Sequence, residues 1–168
     1  FSKGKSLISN NEIKPIYNNS IAIRGNISGA NLKNLNHKNI SLFLGSDFHY
    51  VIYPMNIDKD FNFIGILEHK LTAEEIDNYE LFKQKSFIQY IKEKLANKIS
   101  ISTLNNLENM KCFPVFVSKN LHQPNNNIFL IGDAFFAFSP SFAQGASQSI
   151  ESASELFDNI VNNKNYFY

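Results

Sequence analysis

Between positions 128 and 151 the chain reads Ile-Phe-Leu-Ile-Gly132-Asp133-Ala134, reaches Pro140, and continues Ala143-Gln144-Gly145-Ala146-Ser147-Gln148-Ser149-Ile150-Glu151. The apolar run predicts a strand that stops on Gly-Asp, and the small residues after the proline predict a turn that opens a helix. A carboxylate at a strand end can accept hydrogen bonds from the hydroxyls of a ribitol or ribose chain. A helix start offers amide hydrogens that lack intrahelical acceptors, together with the positive end of the dipole, to an anionic group. Gly145 lets the backbone approach a ligand with no Cβ in the way. Each residue also has a plainer role: Asp133 as a loop cap, Gly145 and Ala146 as an ordinary helix start, Pro140 as a loop stiffener.

Other polar residues sit in strand-like surroundings. Arg24 interrupts an apolar run, where an unpaired guanidinium would be costly, so it either reaches a ligand or pairs with a carboxylate at the sheet margin. His49 and Tyr53 are four apart on one predicted strand and share a face. That face could line a substrate cavity or be the ordinary outer side of a sheet, and the ordinary reading is preferred for His49. His37, His69 and His122 have polar neighbours and no metal-ligand spacing, which predicts surface positions. No Gly-x-Ser-x-Gly elbow or other nucleophile–base pattern is present.

The elements that must position these groups follow from periodicity. Residues 19–67 read as sheet, with alternation at Ile21, Ile23 and Ile27, an apolar run at 40–44, and strands at 50–55 and 61–67 around a polar loop. Ser46-Asp47 makes a turn. Thr72 and Glu75 form a Thr-x-x-Glu capping box. Phe87, Ile88, Ile91 and Leu95 recur at helical spacing within 82–95. Leu104 and Leu107 fit either a short helix or a loop, and 113–117 returns as extended chain. A final helix over 144–161 would bury Ile150, Ala153, Leu156, Phe157 and Ile160 on one face. Asn125-Asn126-Asn127 reads as loop.

Composition narrows the classes. The chain has 168 residues and a formal charge of +1, from 16 Lys+Arg against 15 Asp+Glu, which gives no electrostatic case for nucleic acid. No apolar window approaches a bilayer span and no signal peptide is visible. A lone cysteine, Cys112, permits no internal disulfide or thiolate cluster and fits a reducing cytoplasm. Peripheral membrane attachment is left open. Sixteen phenylalanines and seven tyrosines suit an aromatic-binding pocket and a plain hydrophobic core equally.

The run GDAFFAFSPSFAQGASQSIESA resembles the third flavin-contacting motif of the group A FAD-dependent aromatic hydroxylases, the family of salicylate, para-hydroxybenzoate and ubiquinone-pathway hydroxylases. Gly132-Asp133, Pro140 and Ala143-Gln144-Gly145 fall in the family's order, although Phe135-Phe136 replaces the Ala-His of many relatives. Weaker likenesses are Ser2-Lys3-Gly4-Lys5-Ser6, then Ile21-Ala22-Ile23-Arg24-Gly25, then Leu44-Gly45 with His49-Tyr50-Val51-Ile52-Tyr53-Pro54. The resemblance implies an α+β chain with a partial para-hydroxybenzoate-hydroxylase-like fold. Residues 1–18 would be the tail of an FAD-binding domain, 19–111 a mostly antiparallel substrate sheet, and 112–168 the return to the FAD domain. It implies FAD contacts at Gly132, Asp133, Pro140, Gln144, Gly145, Ala146 and Ser147, with Asp133 on the ribityl chain. Arg24 and Tyr53 would face an aromatic or conjugated small-molecule substrate. NAD(P)H would be the co-substrate of an oxygen transfer whose redox step belongs to the cofactor.

The seven glycines, at 4, 25, 29, 45, 65, 132 and 145, form no Gly-x-Gly-x-x-Gly, the pyrophosphate motif such an enzyme needs near its N-terminus. The expectation is therefore a piece of a longer enzyme that lacks the N-terminal half of the FAD domain and is inactive alone. Two alternatives stand beside it. One is a related flavin oxidoreductase, a prenyl-lipid reductase or a halogenase using Lys59 or Lys92. The other is a noncatalytic binding module, if the chain is complete.

Overall fold

The computed structural model describes residues 15–28, 38–55, 60–118 and 128–162, leaving out the side chain of Phe142. The element order is β1 (Ile16–Ile27), β2 (Ser41–Leu44), β3 (Phe48–Pro54), β4 (Phe61–Glu68), α1 (Ala73–Asp77), α2 (Lys85–Leu95), α3 (Ile101–Asn105), β5 (Leu107–Val117) and α4 (Gly145–Val161). Short 3-10 turns lie at Leu81–Lys83, Gly132–Ala134 and Pro140–Phe142. The result is α+β, as the resemblance implied. The chain divides into two compact units, Asn19–Val115 and Phe1–Asn18 with Phe116–Tyr168.

In the first unit the five strands form one sheet in the order β2-β3-β4-β1-β5. β1 pairs with β4, β4 with β3 and β3 with β2, all antiparallel. Period-two alternation decides the faces. Ile21, Ile23, Ile27, Phe48, Ile52, Phe61 and Phe63 are buried on one side. Asn26, Tyr53, Asn62 and Ile64 point to the other and are only half-buried, while Arg24 on that same side is exposed. The buried side is closed by α2, whose Phe87, Ile91 and Leu95 recur every four residues and enter the same apolar cluster. Lys92 and Lys94 in the last turn of α2 oppose its negative dipole end. Lys98, just past that end, reaches both carboxylate oxygens of Asp47 at 2.8 and 2.5 Å and so ties the turn between β2 and β3 to the helix.

The expected capping box on α1 is present. Thr72 accepts from the Glu75 amide at 3.3 Å, and the Glu75 carboxylate accepts from the Thr72 amide at 2.8 Å. Leu104 and Leu107, undecided from sequence, fall to different elements: Leu104 into α3, where Ser100 accepts from the Thr103 amide, and Leu107 onto the first residue of β5. β5 thus begins six residues before the expected extended segment. Asn109 has φ +51°, and the inward positions shift from Leu107 to Met110 and Cys112 across it, the mark of a one-residue bulge. Gly25 is required by close approach, because a Cβ there would sit 2.6 Å from the Leu107 side chain and 2.9 Å from the Glu108 carbonyl oxygen.

Two expectations about the second unit are overturned. Residues 128–131 are not a strand: Ile131 is extended, with φ −128° and ψ 161°, but no ladder partner stands beside the run among the described residues. An apolar, β-favouring stretch becomes a strand only where a neighbour takes its amide and carbonyl groups. The final helix forms where expected, but not with the expected buried face. Ile150, Phe157 and Ile160 are 71, 64 and 62% exposed, and Ala153 and Leu156 are only half-buried. The face that packs carries Ser149 and Ser152 against the 3-10 turn Gly132–Ala134. Helical periodicity identifies an apolar stripe without identifying what lies opposite it.

His69 also departs from its expected surface position. It is half-buried, with its ring edge-on to Phe87 and Tyr90 at 6.3 and 5.8 Å. Burial, then the Lys94 ammonium, pushes its pKa below the ordinary histidine value. Cys112 is buried and its thiol is pushed up to about 12 by desolvation. His37, His122, Lys59, Asn125 to Asn127 and the Ser2 to Ser6 likeness lie outside the described residues.

Candidate functional site

The 3-10 turn at Gly132–Ala134 and the start of α4 are held together by backbone geometry that only this local sequence permits. Gly132 has φ +56°, and a Cβ on it would meet the Ser149 hydroxyl oxygen at 2.5 Å and the Ser149 Cβ at 3.0 Å. Its amide donates to the Ser152 hydroxyl oxygen at 3.1 Å, and that hydroxyl donates onward to the Ser149 carbonyl at 3.0 Å. Ser149 in turn donates to the Gly145 carbonyl at 2.7 Å. These three small residues let the helix lie directly on the turn, which aims Asp133 along the helix start. The Asp133 carboxylate oxygen Oδ1 lies 3.9 Å from the point a Cβ on Gly145 would occupy. The acid and the helix start therefore face one space.

Pro140 opens its 3-10 turn at the first position, where a missing amide hydrogen costs nothing. Ala143 closes it in the left-handed region at φ 53°, and its amide donates to the Pro140 carbonyl at 3.0 Å. Helix α4 then begins at Gly145 with Gln144 as its cap residue and no side-chain cap. The first intrahelical bond runs from the Gln148 amide to the Gln144 carbonyl, so the amides of Gly145, Ala146 and Ser147 precede any intrahelical acceptor. The Ser147 hydroxyl folds back to donate to the Gln144 carbonyl at 3.0 Å.

Between turn and helix lies an open groove of about 250 Å³. Its lining combines the polar Asp133 and Gln148 and the bare backbone of Gly145 with the rings of Phe135, Phe136 and Phe138, and Glu151 and Glu155 join it from farther along the helix. Phe136 and Phe138 meet edge-on at 4.7 Å. The loop carrying them is pinned to the end of β5, because the Ser118 amide donates to the Ala137 carbonyl and the Ala137 amide donates to the Ser118 hydroxyl, both at 3.0 Å. Three carboxylates around one groove disfavour a phosphate there and favour a ligand rich in hydroxyl donors with an apolar flank. The unpaired amides at the helix start suit a partly negative edge of the same ligand. A ribitol arm joined to a flat ring fits that donor set, and the absent Cβ of Gly145 leaves room beside Asp133.

Of the seven residues expected to contact a cofactor, Gly132, Asp133, Gly145, Ala146 and Ser147 meet around the turn and helix start. Gln144 supplies its carbonyl and caps the helix, while Pro140 acts through the loop. Sequence reasoning missed Ser149 and Ser152. Their three-residue spacing on one helical face was the available signal, outweighed in the sequence by the stronger apolar stripe of the same helix. Arg24 and Tyr53 lie in the other unit, on the same outer sheet face, two strands apart. Arg24 pairs across to Ile64, Ile64 to Val51 and Val51 to Leu42, forming one row. Asn26 pairs to Asn62 and Asn62 to Tyr53, forming the next. Exposure removes the cost expected for Arg24, which forms no ion pair among the described residues.

Comparison with known proteins agrees with this architecture. No family model and no curated protein matches the chain. Solved structures do. A 2,6-dihydroxypyridine-3-hydroxylase from Arthrobacter nicotinovorans superposes with a TM-score of 0.71 at 16% identity, over 91% of this chain and 45% of that one. HpxO from Klebsiella pneumoniae, complexed with FAD and uric acid, gives a TM-score of 0.63 at 10% identity, over 88% of this chain and 37% of that one. The tetracycline destructase Tet(51) gives 0.61 at 12% identity, over 95% and 42%. The fold is that of the FAD-dependent aromatic hydroxylases and monooxygenases, and the chain spans less than half the length of these structures.

Proposed function

We propose that the chain is the substrate-sheet and later flavin-contacting portion of an FAD-dependent monooxygenase that uses NAD(P)H to hydroxylate an aromatic or conjugated small molecule. The observation that carries the reading is the convergence of Asp133 with the uncapped start of α4, 3.9 Å from the Cβ position of Gly145. Asp133 accepts hydrogen bonds from the ribityl hydroxyls. The amides of Gly145, Ala146 and Ser147 donate to the polar edge of the ring, and Gly132 sets the turn that aims the acid. When bound, FAD supplies the redox chemistry, taking electrons from NAD(P)H and activating dioxygen. Phe135, Phe136 and Phe138 exclude water from one side of the groove. Arg24 and Tyr53 contact the substrate on the outer sheet face. The partner still required is an N-terminal half of the FAD domain carrying a Gly-x-Gly-x-x-Gly for the pyrophosphate.

The test is flavin occupancy in the full reading frame. The purified protein should be yellow, and Asp133→Ala should lower its FAD affinity about tenfold or more, the loss of one or two charge-assisted hydrogen bonds. Unchanged affinity in that variant removes Asp133 from this role. A colourless parent that gains no flavin on titration removes the whole reading.

A further inference from the structure

The outer face of the sheet carries an apolar row and a polar row side by side. Leu42, Val51 and Ile64 form the first, ending at Arg24, and Asn26, Asn62 and Tyr53 form the second. Within the polar row the Asn62 side-chain amide, Nδ2, donates to the Tyr53 hydroxyl at 2.5 Å. All three polar residues are half-buried.

A phenol oxygen has a single hydrogen. Because Tyr53 accepts from Asn62, and its hydroxyl has no acceptor among the described residues, that hydrogen can point at a ligand and Tyr53 is left as a donor. Asn62 keeps its carbonyl oxygen as an acceptor. Asn26 adds a second amide on the next strand, about 5 Å away between Cβ atoms. A donor next to an acceptor complements an edge that offers an acceptor next to a donor, which is the carbonyl and N–H of a cyclic amide. A carboxylate offers acceptors alone, would oppose the Asn62 oxygen, and is drawn instead to Arg24 in the adjoining row. A simple phenol carries both roles on one oxygen and lacks the two-atom spacing of the lactam edge.

We propose that Asn62, with Asn26 and Tyr53, determines specificity and selects a planar ring bearing a lactam or imide edge, the ring itself lying on Val51 and Ile64. This rests on the reading of the chain as the substrate sheet of a flavoprotein monooxygenase. Asn62 acts both by direct contact and by holding Tyr53 as a donor.

The experiment is a ¹H–¹⁵N NMR titration of the 168-residue chain with 2-pyridone, phenol and benzoate as probes. The side-chain amide of Asn62 should shift with 2-pyridone, which should bind about tenfold more tightly than phenol, the discrimination expected from one polar group left unpaired. Asn62→Leu should erase that preference and leave phenol binding within about twofold. Tyr53→Phe should reduce the preference in part. Equal binding of 2-pyridone and phenol, tighter binding of benzoate, or an unshifted Asn62 amide at the highest pyridone concentration would each overturn the proposal. So would an unchanged ratio in Asn62→Leu, or a parallel weakening for all three probes, which marks a structural role. FAD binding by the full reading frame is read separately. A pyridone preference without flavin binding sinks the flavoprotein reading and spares the row, whereas flavin binding without the preference sinks only the row.

Discussion

At the scale of single residues, the site depends on Gly132 having no side chain. Its positive φ and the 2.5 Å approach of the Ser149 hydroxyl to a would-be Cβ act together. Gly132→Ala should therefore cost about 2 kcal/mol or more, since the left-handed region alone costs a non-glycine residue 1–2 kcal/mol. Ser152→Ala, which removes the acceptor of the Gly132 amide, should cost about 1 kcal/mol. Urea denaturation of both variants checks the ranking, and equal stability of Gly132→Ala and wild type would contradict it. His69 supplies a pH dependence. Its folded pKa lies below the ordinary value because burial and Lys94 disfavour the imidazolium. The unfolded chain therefore takes up the proton first as pH falls through the ordinary histidine range near 6.5. Stability conferred by neutral His69 is complete above that range and declines below it, down to the folded pKa. His69→Gln should flatten the change in melting temperature between pH 7.5 and pH 5.5, with little effect at the upper end.

Elements were legible where a local signal sufficed. Thr72 and Glu75 are three residues apart, and the reciprocal hydrogen bonds of a capping box need nothing from the rest of the molecule. Thr72→Ala should cost about 1 kcal/mol. The apolar spacing of α2 was equally plain, because Phe87, Ile91 and Leu95 face a sheet that alternates with its own period. Ile91→Ala should cost about 2–5 kcal/mol, against under 0.5 kcal/mol for an exposed neighbour such as Gln89→Ala. Thermal melts followed by circular dichroism would separate the two. The start of β5 was missed because Asn109 breaks the alternation, so the segment before Phe113 lacks period two.

Across the whole molecule the two units differ in how far they bury their own apolar residues. The sheet unit closes its core with α2, and Cys112 sits inside it with its thiol pushed up to about 12. That thiol should resist a disulfide exchange reagent at pH 8 and react fully once the chain is unfolded in guanidinium. Rapid labelling of the folded chain would show that the core around β5 is open. In the other unit Ile150, Phe157 and Ile160 lie on α4 facing outward among the described residues. A stripe of this kind is a surface in want of cover. The isolated chain should bind a hydrophobic dye such as ANS, and Phe157→Lys with Ile160→Lys should cut that binding by about half or more without changing the melt of the sheet unit.

The order Gly132-Asp133, Pro140, Gln144-Gly145 and the resemblance it carries were determined by sequence alone, because turns, caps and close approaches require particular residue types at particular spacings. The same is true of the positions of α1, α2 and α4 and of the face shared by His49 and Tyr53. Tertiary structure decided the rest. It turned the serine face of α4 onto the 3-10 turn, left 128–131 without a strand partner, and set Asn62 between Asn26 and Tyr53. Periodicity records which side of an element is apolar, a property of neighbours along the chain. Which groups then meet across space depends on sheet register and on helix approach, and those are set by contacts between residues far apart in sequence.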